Sequence, residues 1–446
     1  MSKNNQDVLN RPIHLKMLIG FSLPTILSMV FMSIYTTVDG LFVARLVNTD
    51  ALSAVNIVMP MVFIATGIGT MFGSGGNALV AKKIGEGKKQ EAREDFSLLL
   101  FTSFVVSLVI SVLCFVFLKP LLRLLGSDDN LMTYCIEYMY PILIAMPFTV
   151  FGMMLSMSYI TVGKAHFGLW MSILGGVLNI VLDWLFIAIF KWGIAGAAIA
   201  TSIGYVTTSI IGLVYFFVNR KHELYIVKPK LRWHTIIKSC TNGSSEMIGV
   251  FAGSIVAILF NNILMRMAGS DGVASITIML YVQELFNAVY RGYATGIAPV
   301  ISYNFGRDDS VRLKKIHSIS TKIILLASFV LTGVCIVLAP TLVEFFAGDN
   351  QSVLEMAVHG FRIFAISCLF VGINVYSSLF TALNDGKTSA ILSFCRTVVF
   401  LVVPVLVLPM IIGLDGVWWS MPIGELLSFA MSVYYFRKLY FRKVKA

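Results

Sequence analysis

The chain has 446 residues, of which 57% are hydrophobic and only 13% are charged. Ordinary soluble domains carry about 25% charged residues, so this composition excludes a soluble fold, a disordered chain and a disulfide-stapled secreted module. The net charge of +11 would suggest nucleic-acid binding in a soluble protein. No nucleic-acid partner is expected here, because the basic residues follow the predicted membrane topology.

Twelve apolar segments are separated by charged residues or by Gly, Pro, Asn and Asp. About 20 apolar residues suffice to span a bilayer as a helix, and the longer segments require tilt or extension beyond it. The fold class is therefore predicted as an all-α polytopic membrane protein. The predicted helices cover residues 15–45, 52–81, 95–118, 131–161, 166–190, 194–218, 236–267, 273–303, 317–338, 353–383, 388–411 and 416–436.

The basic residues are distributed unevenly between the two sides of the membrane. An even number of helices places both termini on one side, and the connections on that side hold 26 Lys and Arg. The opposite connections hold five, namely Arg45, Lys119, Arg123, Lys191 and Arg266. The positive-inside rule then predicts a multi-pass protein of the plasma membrane, or cell inner membrane, with both termini in the cytoplasm. Attraction to anionic membrane lipids is a secondary expectation.

The two halves of the chain repeat each other. At an offset of 221 residues Arg45 aligns with Arg266 and Gly85 with Gly306, and at 220 residues Gly193 aligns with Gly413. The order and near-constant spacing predict two six-helix lobes that lie parallel in the membrane, an arrangement suited to alternating access. The predicted units are an N-terminal lobe at 1–218, a cytoplasmic linker at 219–234 and a C-terminal lobe at 235–446.

Polar residues within the N-terminal spans are candidates for binding a coupling cation. Asp39 follows Tyr35 by four residues, and Asp183 follows Asn179 by the same spacing, so each pair shares a helix face. Thr201 lies among small residues that allow close helix approach. Carboxylates in a low dielectric exchange protons near neutrality, and the same oxygens could bind Na⁺. The alternative is that Asn179 and Asp183 only hydrogen-bond helices together.

Pro24 interrupts the first predicted helix. A proline removes one backbone hydrogen bond, so this position is a candidate conformational hinge.

The C-terminal half offers a less defined polar site. Glu284 and Arg291 are seven residues apart, which favours an ion pair within the lobe over a contact with substrate. Glu246 is either a functional carboxylate or a solvated group near a helix end. Glu425, three residues after Pro422, is equally open to both interpretations.

Methionines cluster on the fourth predicted helix. A flexible, Met-rich and aromatic surface suits a cavity that binds lipophilic cations, whereas packing in the core or against lipid is the alternative. The candidate cavity residues are Met146, Met153, Met154 and Met157. The sequence contains no phosphate-binding P-loop and no clustered metal ligands. Neither an enzyme nor an ATP-driven transporter is expected.

Several motifs together resemble one transporter family. The opening Phe-Ser-Leu-Pro-Thr precedes Asp39, and Gly163-Lys164 separates the fourth and fifth helices. Asn-Ile-Val-Leu-Asp-Trp follows at 179–184, and Gly-Ile-Ala-Gly-Ala-Ala-Ile-Ala-Thr follows at 193–201. In this order the motifs are similar to those of the multidrug and toxic compound extrusion (MATE) family, prokaryotic type, within the wider MOP superfamily.

The resemblance implies an antiporter that expels lipophilic, usually cationic, drugs in exchange for H⁺ or Na⁺, without another cofactor and as a monomer. In similar members a polar cluster of the N-terminal lobe handles the coupling cation, and its positions match Tyr35, Asp39, Asn179, Asp183 and Thr201. Some members also use a Glu in helix 7 and an Asp in helix 10. Helix 10 here offers Asn374 instead, so the C-terminal candidates are Asn374, Glu246, Glu284 and Arg291.

The sequence is also compatible with two other functions. A lipid-linked precursor flippase of the same superfamily would line its cavity with Arg and Lys. A non-transporting receptor or scaffold would not need two symmetric lobes.

Overall fold

A computed structural model describes residues 9, 11–47, 49–220, 222–347 and 351–440. Every regular element in these ranges is helical, and ten continuous stretches are long and apolar enough to span a membrane. One of them, Trp233–Gly306, contains two helices, because Gly269 breaks the backbone with φ 63° and ψ −151°. Only glycine adopts this conformation without strain. Leu414–Tyr435 adds a 22-residue helix, which completes the predicted twelve.

The helices of the N-terminal half begin and end within a few residues of the predicted bounds. Where the start of a helix is charged, as at Lys89, the helix begins earlier than predicted. Charged side chains can lie at the membrane surface while the backbone stays helical. The six are α1, Leu15–Leu46; α2, Thr49–Met71 with Phe72–Gly76 and Asn77–Gly85; α3, Lys89–Val116; α4, Asp129–Thr161; α5, Ala165–Asp183 with Trp184–Ile189; and α6, Gly193–Val218.

The C-terminal half repeats this order. Gly193 and Gly413, which the repeat aligns, have φ values of 57° and 62° and both start the last helix of their half. The six helices are α7, residues 233–268; α8, residues 270–306; α9, Ser310–Ala347; α10, Gln351–Phe364 continued through Cys368–Tyr376 to Leu379–Ala382; α11, Gly386–Phe394 with Cys395–Val399 and Val402–Ile412; and α12, Leu414–Tyr435 with Phe436–Tyr440.

Four of the described helices contain a π-helical turn, in which one residue is inserted and the side chains after it are rotated. These turns are Phe72–Gly76 in α2, Trp184–Ile189 in α5, Cys395–Val399 in α11 and Phe436–Tyr440 in α12. Such turns are frequent at functional sites. The second turn directly follows Asp183, and the third contains Arg396. Hydrophobic periodicity does not reveal the inserted residue.

The two halves touch through backbone on the side that holds both termini. A Cβ added at Gly75 of α2 would lie 2.5 Å from the nitrogen of Gly243 in α7. A Cβ added at Gly296 of α8 would lie 2.8 Å from Cα of Ser22 in α1. The 221-residue offset places Gly75 on Gly296 and Ser22 on Gly243, so the two contacts are equivalent by the repeat. Side chains on either glycine would separate the helices.

The opposite side of the same interface is open. Gly253 lies ten residues beyond Gly243 on α7, and a Cβ added there would meet no atom within 4 Å in the described part of the chain. Glu284 and Arg291 of α8 have side-chain exposures of 52% and 46%. Charged groups at membrane depth face water rather than lipid. The two halves are therefore less closely packed here than at Gly75 and Gly296, and these charged side chains are exposed.

Candidate functional site

The N-terminal polar cluster lies where α1, α5 and α6 meet. Asn179 and Asp183 share one face of α5, as their spacing predicts, and their side chains are 4% and 0% exposed. Asn179 Nδ2 donates a hydrogen bond to Oγ1 of Thr201 at 3.1 Å. Glycines allow this close approach, since a Cβ at Gly204 would lie 3.2 Å from the backbone oxygen of Gly175. The cluster thus joins α5 to α6.

Tyr35 reaches the same region from α1. A Cβ added at Gly176 would lie 2.5 Å from Cε1 of Phe31 and 3.0 Å from Cδ1 of Tyr35. Both rings therefore lie against α5 one turn before Asn179. The backbone of Asp39 continues α1 by one further turn, and its side chain lies outside the described residues. The structure brings together Tyr35, Asn179, Asp183 and Thr201.

The donor set suits a small cation. Oδ1 of Asn179 is buried and accepts no hydrogen bond from the residues that the structure describes. Asp183 adds a fully buried carboxylate, and Thr201 adds a hydroxyl oxygen. Carboxylate, amide and hydroxyl oxygens are the ligands that hard cations prefer, and a buried carboxylate also takes up H⁺ readily. The cluster therefore offers oxygen atoms of the kind that bind a proton or a small hard cation.

Pro24 is buried inside the continuous helix α1. It lies two residues after Ser22, which contacts Gly296 of α8. The missing backbone hydrogen bond is thus next to the contact between the two halves.

The C-terminal candidates divide into two groups. Glu284 and Arg291 form an ion pair on α8, with Nη2 of Arg291 at 2.6 Å from Oε2 of Glu284, and both side chains are exposed. Glu246 on α7 is half-buried, and the positive charges of Arg291 and Arg396 both act on it.

Asn374 belongs to a different, buried network. Its Nδ2 donates to Oε2 of Glu425 at 2.5 Å, and Ser432 donates to its Oδ1 at 3.2 Å. Arg396 binds the same carboxylate through Nη2 at 2.8 Å and Nε at 3.1 Å. Glu425 is 3% exposed. The network joins α10, α11 and α12, and its Arg396 is also one of the charges that act on Glu246.

The four methionines of α4 do not share one environment. Met146 and Met154 are buried at 3% and 0% in the core of the N-terminal half rather than on a cavity wall. Their packing partners on α2 and α3 could not be deduced from the helix alone. Met153 and Met157 are half-buried and cover Gly69 and Gly73 of α2, where an added Cβ would lie 2.5 Å and 2.8 Å from their sulfur atoms.

One charged cluster was missed at the sequence level. Asp95 of α3, 1% exposed, lies 2.6 Å from Nζ of Lys83 and 2.9 Å from Nη1 of Arg232. Glu94 pairs with Lys230 at 2.7 Å and with Arg232 at 2.6 Å. Partial burial lowers the pKa of Arg232, but the hydrogen bond to Asp95 and the negative charge of Asp95 raise it further, so the pKa of the guanidinium is raised overall. The sequence signal that could have revealed this cluster is the pair of adjacent acidic residues, Glu94 and Asp95, near the basic start of a helix.

Twelve apolar helices in two repeated halves, with exposed charged groups at membrane depth in the second half, are typical of a polytopic transporter. The model of the MatE family matches residues 24–185 and 246–406, and the chain belongs to this family. It is therefore a membrane transporter and not an enzyme.

Curated relatives match over almost the whole chain. Multidrug export protein MepA of Staphylococcus saprophyticus is 24% identical over 422 residues, which cover 92% of this chain and 90% of the relative. MepA of a Staphylococcus aureus strain is 23% identical over 428 residues, covering 92% and 91%.

Solved structures match the fold at equal length. A MATE in complex with MaL6 has a TM-score of 0.94 at 22% identity, with both chains covered completely. An outward-facing multidrug resistance MATE transporter of the MOP superfamily gives 0.93 at 22% identity and the same coverage. A MOP superfamily transporter from Pyrococcus furiosus gives 0.92, also at 22% identity and full coverage of both chains.

Proposed function

We propose that the chain is a secondary active multidrug efflux antiporter, which exports lipophilic organic cations in exchange for H⁺ or Na⁺. The observation that carries this proposal is the fully buried carboxylate of Asp183, grouped with Asn179 and Thr201 between α5 and α6. Its relatives in Staphylococcus are named multidrug export proteins, which supports the substrate class. The coupling ion is the only cofactor, and the transporter works as a monomer among membrane lipids.

In this mechanism the N-terminal cluster binds the ion that drives export. Burial in a low dielectric disfavours the ionised form of a carboxylate, and Asp183 is fully buried, so uptake of H⁺ or Na⁺ at this position is favourable. Asn179 supplies an amide oxygen, Thr201 and Tyr35 supply hydroxyls, and Asp39 from α1 supplies the second carboxylate. Ion binding draws α1 towards α5, and Pro24 allows α1 to bend. The cavity then contracts and the drug leaves.

Transport requires the contact between the halves to alternate. The surplus of basic residues on the termini side supports a cytoplasmic location for both termini. The close contacts at Gly75 and Gly296 then seal the cytoplasmic side, and the cavity faces outward. The units that move are the N-terminal lobe at 1–218 and the C-terminal lobe at 235–446, joined by the linker at 219–234.

The C-terminal groups have separate roles in this scheme. Glu246 and Glu284 border the cavity and attract cationic drugs, while Arg291 orients Glu284. Asn374 holds Glu425 and serves the structure of the lobe rather than ion coupling. Met153 and Met157, half-buried on α4, are the methionines able to reach the cavity when α2 moves.

Efflux from proteoliposomes tests the proposal. A fluorescent lipophilic cation is loaded, a pH or Na⁺ gradient is imposed separately, and wild type is compared with Asp183→Asn and Asp39→Asn. Each variant is expected to lose gradient-driven export while still binding the dye. Asp129→Asn is the matched control, since Asp129 has an 84% exposed side chain. Full gradient-driven export by Asp183→Asn and Asp39→Asn would refute the coupling role.

The flippase alternative has one supporting observation. The structurally similar transporter from Pyrococcus furiosus is described as having a binding pocket of reverse polarity that suggests a different function. In this chain, however, Arg291 and Arg396 are each paired with a carboxylate, so neither offers a free cation to a lipid pyrophosphate. Transfer of a lipid-linked precursor across the same proteoliposomes, without dye export, would favour the flippase.

A further inference from the structure

An apolar groove lies on the surface of the N-terminal half, beside the linker. Its volume is about 370 Å³, within the range of about 300–1,000 Å³ typical of small-ligand pockets. Three helices and the linker form it. The groove is lined in part by Phe101 and Phe104 of α3, Phe148 of α4, Leu213 of α6, and Val227 and Pro229 of the linker.

The polar side chains in the groove are already satisfied. Val227 N donates to Oγ of Ser97 at 2.9 Å, and Ser97 donates to the backbone oxygen of Arg93 at 2.9 Å. Ser209 donates to the backbone oxygen of Phe148 at 2.7 Å. The walls thus offer an occupant only apolar contact. A hydrocarbon chain fits this surface, whereas a ligand with buried polar atoms would leave them without hydrogen bonds.

The linker is held firmly where it crosses the groove. Arg93 Nε donates to the backbone oxygen of Glu223 at 2.8 Å, and its guanidinium lies 4.3 Å from the ring centre of Tyr225. Arg232 anchors the far end through Glu94 and Asp95. The groove is therefore built by fixed contacts rather than by a loosely placed segment.

An exposed cation follows the groove lining along the chain. Lys228 lies in sequence between the lining residues Val227 and Pro229, and it has no ion pair with any residue the structure describes. Lys230, two residues further on, is paired with Glu94. Leu231 and Trp233 are each 66% exposed, and Trp favours the level of the lipid head groups. Lys228 is therefore the exposed lysine next in the chain to the groove, in a segment that also exposes Leu231 and Trp233.

We propose that this groove binds an anionic phospholipid of the leaflet on the termini side, with one acyl chain between α3, α4 and α6 and the head group on Lys228. The combination of an apolar slot, a neighbouring free ammonium group and interfacial residues matches the two parts of such a lipid. The site is independent of the coupling cluster and of the proposed transport activity.

Native mass spectrometry of the purified full chain tests the site. Phosphatidylglycerol and phosphatidylcholine with identical acyl chains are titrated separately. Wild type is expected to retain one phosphatidylglycerol more tightly than phosphatidylcholine. Lys228→Gln should lower the affinity for phosphatidylglycerol about fivefold, which is the effect of one Lys near an anionic surface. The affinity for phosphatidylcholine should not change. Leu213→Trp, which fills the groove, should abolish both.

Two matched variants control for unspecific effects. Lys315→Gln removes an exposed lysine elsewhere on the termini side, and Val112→Trp enlarges a 53% exposed residue of α3 outside the groove. Both should bind lipid as wild type does. Equal affinity of wild type for the two lipids, or wild-type lipid binding by Lys228→Gln and Leu213→Trp, would overturn the proposal. If Leu213→Trp no longer binds a lipophilic dye but still binds lipid, the groove is a drug entry site instead, and the proposal is overturned.

Discussion

Gly243 on α7 is the position where an added methyl group conflicts most directly with the opposite half. A Cβ there would lie 2.0 Å from the carbonyl oxygen of Met71 and 2.8 Å from its carbonyl carbon. Van der Waals contact requires at least about 3.5 Å between such atoms. Both obstructing atoms belong to the backbone of α2, so no rotamer change relieves the clash. Gly243→Ala must therefore separate α2 from α7.

The expected cost can be estimated from overpacking. Extra methyl groups in tightly packed contacts cost about 1–3 kcal/mol, which corresponds to about a 5- to 150-fold change in an equilibrium. In the proposed alternation, this close contact exists only while the termini side is closed. Gly243→Ala should therefore shift the population by this factor towards a conformation in which the termini side is open.

Spin labels at the exposed positions Lys88 and Arg307 can report this shift. These positions follow the ends of α2 and α8, which touch: a Cβ added at Gly85 would lie 2.1 Å from the backbone oxygen of Tyr303. Distance measurements should show a longer population in Gly243→Ala. Gly253→Ala on the same helix is the control, since it makes the same gain in helix propensity without a clash. Identical distance distributions in the two variants would refute the reasoning.

Three further predictions concern stability, measured as thermal unfolding in detergent. Asp95→Asn should lower the free energy of unfolding by about 3–5 kcal/mol, because Lys83 and Arg232 lose a buried partner. Arg396→Gln should have an effect of similar size, since it leaves the carboxylate of Glu425 buried and unpaired. Gly193→Ala should cost about 1–2 kcal/mol because its φ of 57° is strained for alanine.

Each of these has its own check. Glu91→Gln removes a carboxylate that also pairs with Lys83 but has a 47% exposed side chain, so it should cost less than about 1 kcal/mol. Replacing both Arg396 and Glu425 by Leu should restore part of the stability that Arg396→Gln loses. Gly413→Ala should match Gly193→Ala, because the repeat gives both the same role. Equal effects of Asp95→Asn and Glu91→Gln would contradict the proposed importance of burial.

The sequence was sufficient to predict the membrane helices. Hydrophobic runs and their punctuation located all twelve, because a bilayer requires each span to be long, apolar and internally hydrogen-bonded. The spacing of Asn179 and Asp183 also indicated a shared face, since helical geometry fixes that relation locally. The repeat indicated equivalent glycines at Gly193 and Gly413.

Contacts between distant helices were not predictable in the same way. The spacing of Asn374 did not indicate that its partner is Glu425 of α12, and the burial of Met146 and Met154 depends on neighbours from α2 and α3. The contact of Asp95 with Arg232 joins residues 137 positions apart. Such pairings depend on how helices pack, and a single sequence carries no direct record of packing.

The sequence by itself determined that this chain spans the membrane twelve times in two repeated halves, because hydrophobicity, charge bias and internal repetition are properties of the chain. The tertiary structure decided where the two halves pack closely, which acidic residues are paired and where the linker forms a groove. These depend on approaches of a few ångströms between backbones, as at Gly75 and Gly243, and small residues permit such approaches without specifying the partner.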